Sequence, residues 1–252
     1  RSVERTTWGK PPKASKRQKR NERQQNFHEK RRGVNQSNLL NIPVNTFATK
    51  TSNFNNNGMI SLQKSKITIA HLNIRSLKNK KHLIQLRNFA QEENYGILAV
   101  SESWLNSTVT NAEVEIVGYK LSRLDRLNKT GGVCVYTQNS LKTKVLRELN
   151  GISNSGFHQL WLQIQHKKLK SFLLCVAYRP PDCPTSCFEE DFMDKYSQAL
   201  TYGKEIFIAG DLNCNVMKHS PEADALNDLC LSLNLTQLIT SPTRETSESS
   251  SL

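Results

Sequence analysis

The chain has 252 residues, six cysteines and a formal net charge of +13. None of its apolar runs approaches the roughly 20 residues of a membrane-spanning helix, so no membrane partner is expected, and no signal-peptide pattern opens it. Residues 1–66 hold 15 Lys and Arg against 3 Asp and Glu, while residues 67–252 hold 20 against 19. A basic leader therefore precedes a nearly neutral body, itself long enough to bury one core.

Residues 1–33, centred on "KASKRQKRNERQQ", are apolar-poor and unpatterned, and residues 34–66 carry eight asparagines and read as a polar linker. Neither buries enough to offset its ordering entropy, so disorder is expected across residues 1–66. The cluster Lys16, Arg17, Lys19 and Arg20 suits contact with DNA or RNA, or nuclear import, as well as plain solvation. The first residue is Arg, so a piece of a longer product is expected.

From residue 67 apolar patterning begins. "ITIAHLN" (67–73) predicts a strand, and Leu83, Leu86, Phe89 and Ala90 mark one face of a helix, with Gly96 placed for a left-handed C-terminal cap. "ILAVSE" (97–102), "VEIVGY", "GGVCVYT", "LWLQIQ" and "SFLLCVAY" follow as strands. Arg123, Arg126 and Lys129 precede the Gly131-Gly132 turn, where a backbone contact and a solvated hairpin loop are nearly equal readings. Ser186 and Glu189 predict a capping box for a helix with Phe188, Phe192, Tyr196, Ala199 and Leu200 inward. Ser220 and Pro221 start another, with Leu226, Leu229, Cys230 and Leu233 inward. The cysteines (134, 175, 183, 187, 214, 230) lack a disulfide-scaffold spacing, which suits a reducing compartment. Cys183 and Cys187 read as two unpaired thiols, since no second Cys or His pair completes a zinc site. Mixed α and β with layered packing is the fold class.

The stretch "EIFIAGDLNCN" (205–215) ends an apolar strand with an acid and an amide two apart, Asp211 and Asn213. A turn explains this, and so does a site, because oxygen donors on a rigid strand end hold a hard cation or a phosphate. Asn73, Glu102 and Tyr178 likewise end apolar strands. Each alone has a bland reading as loop starter, exposed strand end or core tyrosine. Together they suggest one pocket at the ends of the strands.

"HLNIRSL", "SESWL", "GGVCVY", "VAYRPP" and "GDLNCN" stand in the order and approximate spacing of the endonuclease/exonuclease/phosphatase superfamily, which the chain resembles over residues 67–252. Glu-Ser-Trp-Leu, Tyr-Arg-Pro-Pro and "LTQLITSPTR" resemble its branch from non-LTR (LINE-type) retrotransposons. The resemblance implies a DNase I-like α/β (α+β) fold, a two-sheet sandwich flanked by helices, following a disordered basic leader at 1–66. It implies cleavage of phosphodiesters with Mg²⁺ or Mn²⁺, Glu102 as metal carboxylate and Asn73 supporting metal or phosphate. Tyr178 would bond the scissile phosphate, Asp211 orient or deprotonate water, and Asn213 bind a phosphate oxygen in the transition state. Arg75 stands where repair enzymes of the superfamily carry an acid, and is read as a phosphate contact. The family pattern continues beyond residue 252 with a Ser-Asp-His motif, so the domain is expected to lack its C-terminal end and activity to be impaired. The six histidines are read as surface or packing residues.

The implied role is nicking of target DNA by a retrotransposon protein in the nucleus, to prime reverse transcription. Element RNA on the basic leader and a downstream reverse transcriptase domain are the further partners, with no membrane partner. The alternatives are a non-catalytic nucleic-acid-binding relic, and a phosphatase acting on lipid or inositol phosphates.

Overall fold

A computed structural model describes residues 44–48, 67–126, 130–240, 243–245 and 250–251, all within the compact unit Ile42–Leu252. The expected disorder of the leader, and Lys16, Arg17, Lys19, Arg20 and Lys129, lie outside the described residues. Two β-sheets pack face to face. The first has the order β1-β2-β3-β5-β4, from Val44–Ala48, Thr68–Asn73, Ile97–Ser101, Val133–Gln138 and Tyr119–Leu124. The second has the order β10-β9-β8-β6, from Ile206–Asp211, Phe172–Tyr178, His158–Gln165 and Lys142–Val145, with β7 (Gly151–Ile152) also on β8. β2–β3 and β9–β10 are parallel pairs. A short antiparallel pair, β11 (Arg244–Glu245) and β12 (Ser250–Ser251), follows.

Strand parity sorts the side chains into three apolar layers. Ile69, Ile97, Ala99, Val133 and Val135 of the first sheet meet Leu160, Leu162, Ile164, Leu174, Val176 and Ala209 of the second. On the outer face of the first sheet, Ala70, Leu72, Leu98, Val100, Cys134 and Tyr136 pack on Leu83, Leu86 and Ala90 of α1 (Lys80–Glu93). On the outer face of the second, Trp161, Leu173, Cys175 and Ala177 pack on a π-helical turn (Phe188–Phe192), α2 (Met193–Leu200) and α3 (Pro221–Ser232). Each buried Leu, Ile, Val or Phe contributes about 1.5–3 kcal/mol. The expected two-sheet sandwich flanked by helices is the fold observed.

The helices start largely as their sequences dictate. The Asn79 side chain accepts the Lys81 N–H at 3.0 Å to cap α1. Ser220 accepts Ala223 N–H at 3.2 Å, with Pro221 at the first helical position of α3. Charge on α1 runs against its dipole: exposed Lys80 and Lys81, after Lys78, open the helix, Glu92 and Glu93 close it, and its first turn holds no acid.

Several local expectations are corrected. Asn94, at φ +50°, caps α1. Gly96 is not left-handed, and a Cβ there would sit 3.1 Å from Ile67 Cγ2, so its value is close approach. "VEIVGY" is a set of turns that plants Val114 and Ile116 in the core and leaves Val117 79 % exposed. Gly118 (φ +88°) redirects the chain, and the strand starts at Tyr119. No side-chain capping bond forms at the π-helical turn. Ser186 contributes its carbonyl, which accepts from Glu189 N and Glu190 N at 3.1 and 2.9 Å. Leu200 is 53 % exposed rather than inward. Within the stretch read as linker, Val44–Ala48 pairs antiparallel with β2. The β-branched Val44 and Thr46 suit a strand, and the surrounding asparagines mask that signal.

Candidate active site

The same parity that builds the inter-sheet core builds a polar cluster at one end of it. On β2, Ile69, His71 and Asn73 alternate onto the inner face. On β3 the corresponding residues are Ile97, Ala99 and Ser101, on β9 Val176 and Tyr178, and on β10 Ala209 and Asp211. Asp211 pairs in register with Tyr178, and Asn73 with Ser101, so the four strand ends are level.

The Asn73 amide lies at the centre. Its Nδ2 donates to Glu102 Oε1 at 2.6 Å and to Asp211 Oδ2 at 2.7 Å, tying the two sheets together through two carboxylates. The second Asp211 oxygen accepts the Asn213 N–H at 3.0 Å, which fixes the carboxylate plane. One Asn213 Nδ2 hydrogen goes to the Arg179 carbonyl at 2.7 Å, and the other has no partner among the described residues. Tyr178 is 4 % exposed. Burial first, then the charges of Glu102 and Asp211, push its phenol far above the ordinary range, so it stays protonated and able to donate.

Backbone strain gathers here. Of the seven described non-glycine residues with positive φ, Arg75, Ser76, Glu102, Trp104 and Asn213 flank these strand ends. The other two, Asn94 and Asn234, close helices, where a left-handed Asn is inexpensive. Left-handed Glu and Trp each cost on the order of 1 kcal/mol or more and persist only where their surroundings over-determine them, a pattern typical of ligand sites.

All five expected core residues, Asn73, Glu102, Tyr178, Asp211 and Asn213, therefore come together. The arginines divide. Arg75 is exposed two residues beyond Asn73, without a hydrogen bond among the described residues. Arg126 crosses Gly131, with its Cδ 3.2 Å from where a Cβ would stand there, and its charge acts on both His158 and Tyr178. Arg123 is consumed internally. Nε donates to Asp125 Oδ1 at 2.8 Å, Nη1 to Val109 O and Asn111 Oδ1, and Nη2 to Asn106 O and Asp125 Oδ2. All five N–H donors are engaged, so Arg123 clamps a loop and has none left for a nucleic acid.

Two histidines read as packing residues sit at the site end. His71 is 2 % exposed, with Nε2 3.1 Å from Ser101 Oγ; burial outweighs the opposing Asp211 charge and lowers its pKa to about 4. His158, fully buried, meets Tyr178 edge to face at 5.4 Å. Period-two counting from Asn73 and from Leu160 would have placed both on the inner face. Arg179 was also missed: it is 4 % exposed, its N–H donates to Asp211 O, and its guanidinium lies 5.9 Å from the Phe188 ring centroid. A cavity of about 780 Å³ opens along β10, with His71, Asn73 and Asp211 among its lining.

The donor set fits a hard divalent cation. Asn73 Oδ1 is buried without a partner among the described residues, while its Nδ2 faces the carboxylates Glu102 and Asp211. Among those residues no group of three His, Cys, Asp or Glu side chains is arranged for a metal. One or two carboxylates with amide oxygens is the usual protein share of a Mg²⁺ site, and a poor one for zinc.

No protein-family model matches the chain, and no curated protein matches it. Solved structures do. An endonuclease/exonuclease/phosphatase family protein from Bacteroides thetaiotaomicron aligns at 14 % identity and TM-score 0.50, over 66 % of this chain and 70 % of that one. The human Nocturnin catalytic domain with bound sulfate aligns at 15 % and 0.49, over 63 % and 66 %. The AP endonuclease from Leishmania major aligns at 16 % and 0.48, over 66 % of each chain. The first of these carries the assignment: the chain has the two-sheet fold of an endonuclease/exonuclease/phosphatase family protein. At such identities the likeness extends to fold alone.

Proposed function

We propose that this chain is the endonuclease domain of a non-LTR retrotransposon, a Mg²⁺- or Mn²⁺-dependent hydrolase that nicks target DNA to leave a 3′-hydroxyl for reverse transcription. The observation that carries the reading is the Asn73 amide joined to Glu102 and Asp211 at 2.6 and 2.7 Å, with Tyr178 and Asn213 beside it. Glu102, supported by Asn73, would hold the cation, which when bound offsets charge developing on the phosphoryl and leaving oxygens.

The chain's own groups do the rest. Asp211, held at both oxygens, orients a water and accepts its proton as the water oxygen bonds to phosphorus and the bond to the 3′-oxygen breaks. The protonated Tyr178 hydroxyl and the second Asn213 Nδ2 hydrogen meet the non-bridging oxygens. Donors fixed before reaction stabilise that charge without reorganisation, each worth on the order of a hundredfold in rate. Arg75 and Arg126, at the rim, suit neighbouring phosphates. The basic leader would add sequence-independent contact with DNA or element RNA, or direct the protein to the nucleus, and a reverse transcriptase domain would accompany it in the full product.

Supercoiled plasmid incubated with the chain and Mg²⁺ is expected to yield nicked circles carrying 3′-hydroxyls at an impaired rate, with Asp211→Ala at least a hundredfold slower still. Release of phosphate from a monoester or inositol phosphate, with plasmid left intact, would overturn the reading for a phosphatase. Tight DNA binding without cleavage would favour a binding relic.

A further inference from the structure

We propose that His158 is a positioning residue for Glu102, acting from the opposite sheet through the backbone of Gly131 and Gly132; this rests on Glu102 being a carboxylate of the site. His158 opens β8 with its ring on the inter-sheet face and is fully buried. Its Nδ1 accepts the Gly132 N–H at 3.2 Å, so the second sheet grips the turn leading into β5 of the first. That turn in turn grips the chain around Glu102. Gly132 O accepts Ser103 N–H at 3.1 Å, and Gly131 O accepts Trp104 N–H at 2.9 Å.

The opposite flank is held as well. Ser76 N–H donates to Glu102 O at 2.8 Å and Leu77 N–H to Ser103 O at 2.9 Å. Glu102 and Trp104 thus stay left-handed, at φ +52° and +53°, because main-chain bonds on both sides leave no alternative path. The ring has little room to shift. Tyr178 meets it edge to face on one side, and on the other a Cβ added to Gly131 would stand 2.9 Å from its Cε1. Its Nε2 is buried without a partner, which leaves Nδ1 as its one bond to the fold among the described residues. The charged group facing the ring is Arg126. The His158 ring makes no hydrogen bond to either carboxylate. Its effect on the site runs through Gly132, Ser103 and the left-handed turn at Glu102.

The test compares His158→Asn, His158→Leu and His158→Gln with wild type. Asn carries its amide oxygen on Cγ, where Nδ1 is attached, and keeps an acceptor for Gly132. Leu keeps bulk alone, and Gln carries its amide one bond too far. The metal-free readouts are hydrogen exchange of the Gly132 amide and the resonance of the Asn73 side-chain amide, which reports its contact with Glu102. The metal readout is Mn²⁺ affinity by water-proton relaxation. Leu and Gln are expected to speed Gly132 exchange, shift the Asn73 signal and weaken Mn²⁺ at least tenfold, the usual scale for losing an outer support of a metal ligand. Asn is expected to restore all three to near wild type. Folded Leu and Gln variants with wild-type Asn73 signals would overturn the proposal, as would an Asn variant as impaired as Leu. Failure of wild type itself to bind Mn²⁺ would instead count against the endonuclease reading, while the Gly132 and Asn73 signals still decide the role of His158.

Discussion

Acidification is expected to loosen this fold through His158 well above the pH at which most carboxylates protonate. Burial first, and the Arg126 charge second, lower its pKa from 6.5 to about 4. The unfolded chain binds a proton on this residue below about pH 6.5, whereas the folded chain refuses it until about pH 4. Stability is therefore full above pH 6.5 and falls as the pH drops through that window. The difference of about 2.5 units corresponds to about 3 kcal/mol when complete, of which about 2 kcal/mol is lost by pH 5. His71, lowered to about 4 mainly by burial, adds a parallel loss, so the comparison must isolate His158. Urea unfolding of wild type and His158→Asn at pH 8 and pH 5 does so. The wild-type midpoint is expected to fall further than the variant's by on the order of 1 M. Parallel pH profiles would refute the argument, because they would mean that His158 titrates alike in both states.

Arg123→Ala removes five hydrogen bonds and is expected to destabilise the fold by about 2–3 kcal/mol while leaving DNA affinity at fixed salt unchanged; the reverse pattern would return Arg123 to the DNA surface. Gly210→Ala is expected to prevent β10 from pairing with β9, because a Cβ there would stand 1.8 Å from the Ala177 carbonyl oxygen. Backbone cannot yield as a flexible side chain does, so a cost above about 3 kcal/mol is expected, and a soluble variant of wild-type melting temperature would contradict the register. Removing residues 1–41, which spares β1, is expected to flatten the salt dependence of DNA affinity, whose log–log slope runs at roughly −0.9 per phosphate neutralised; an unchanged slope would place the contact on the body.

What was legible in the sequence is what period and chemistry express locally. Ile206–Ala209 followed by Asp-x-Asn announced a strand and the residues at its end, though of that run only Ala209 is fully buried, and Ser220-Pro221 announced α3. Residues whose meaning depends on a partner far along the chain were not legible. His71 and His158 look like ordinary strand residues until Ser101 and Gly132 are brought beside them. Arg123 looks like a free cation until Val109, Asn106 and Asp125 close around it. The displaced strand at Tyr119 has another cause: Val114 and Ile116 alternate as a strand would, but turns satisfy the same burial.

The inverted charges of α1 give the molecule two opposite responses to ionic strength. Lys78, Lys80 and Lys81 crowd the positive end of the helix dipole, and Glu92 and Glu93 crowd the negative end, so each is repelled by the helix it sits on. Added salt screens those repulsions and relieves the helix, which is held in place by Leu83, Leu86 and Ala90. The same salt weakens attraction of a polyanion to the basic end of α1, which begins seven residues past Asn73. Conditions that relieve α1 are thus those that would weaken the proposed contact with nucleic acid, and a buffer chosen by melting temperature alone would conceal that contact.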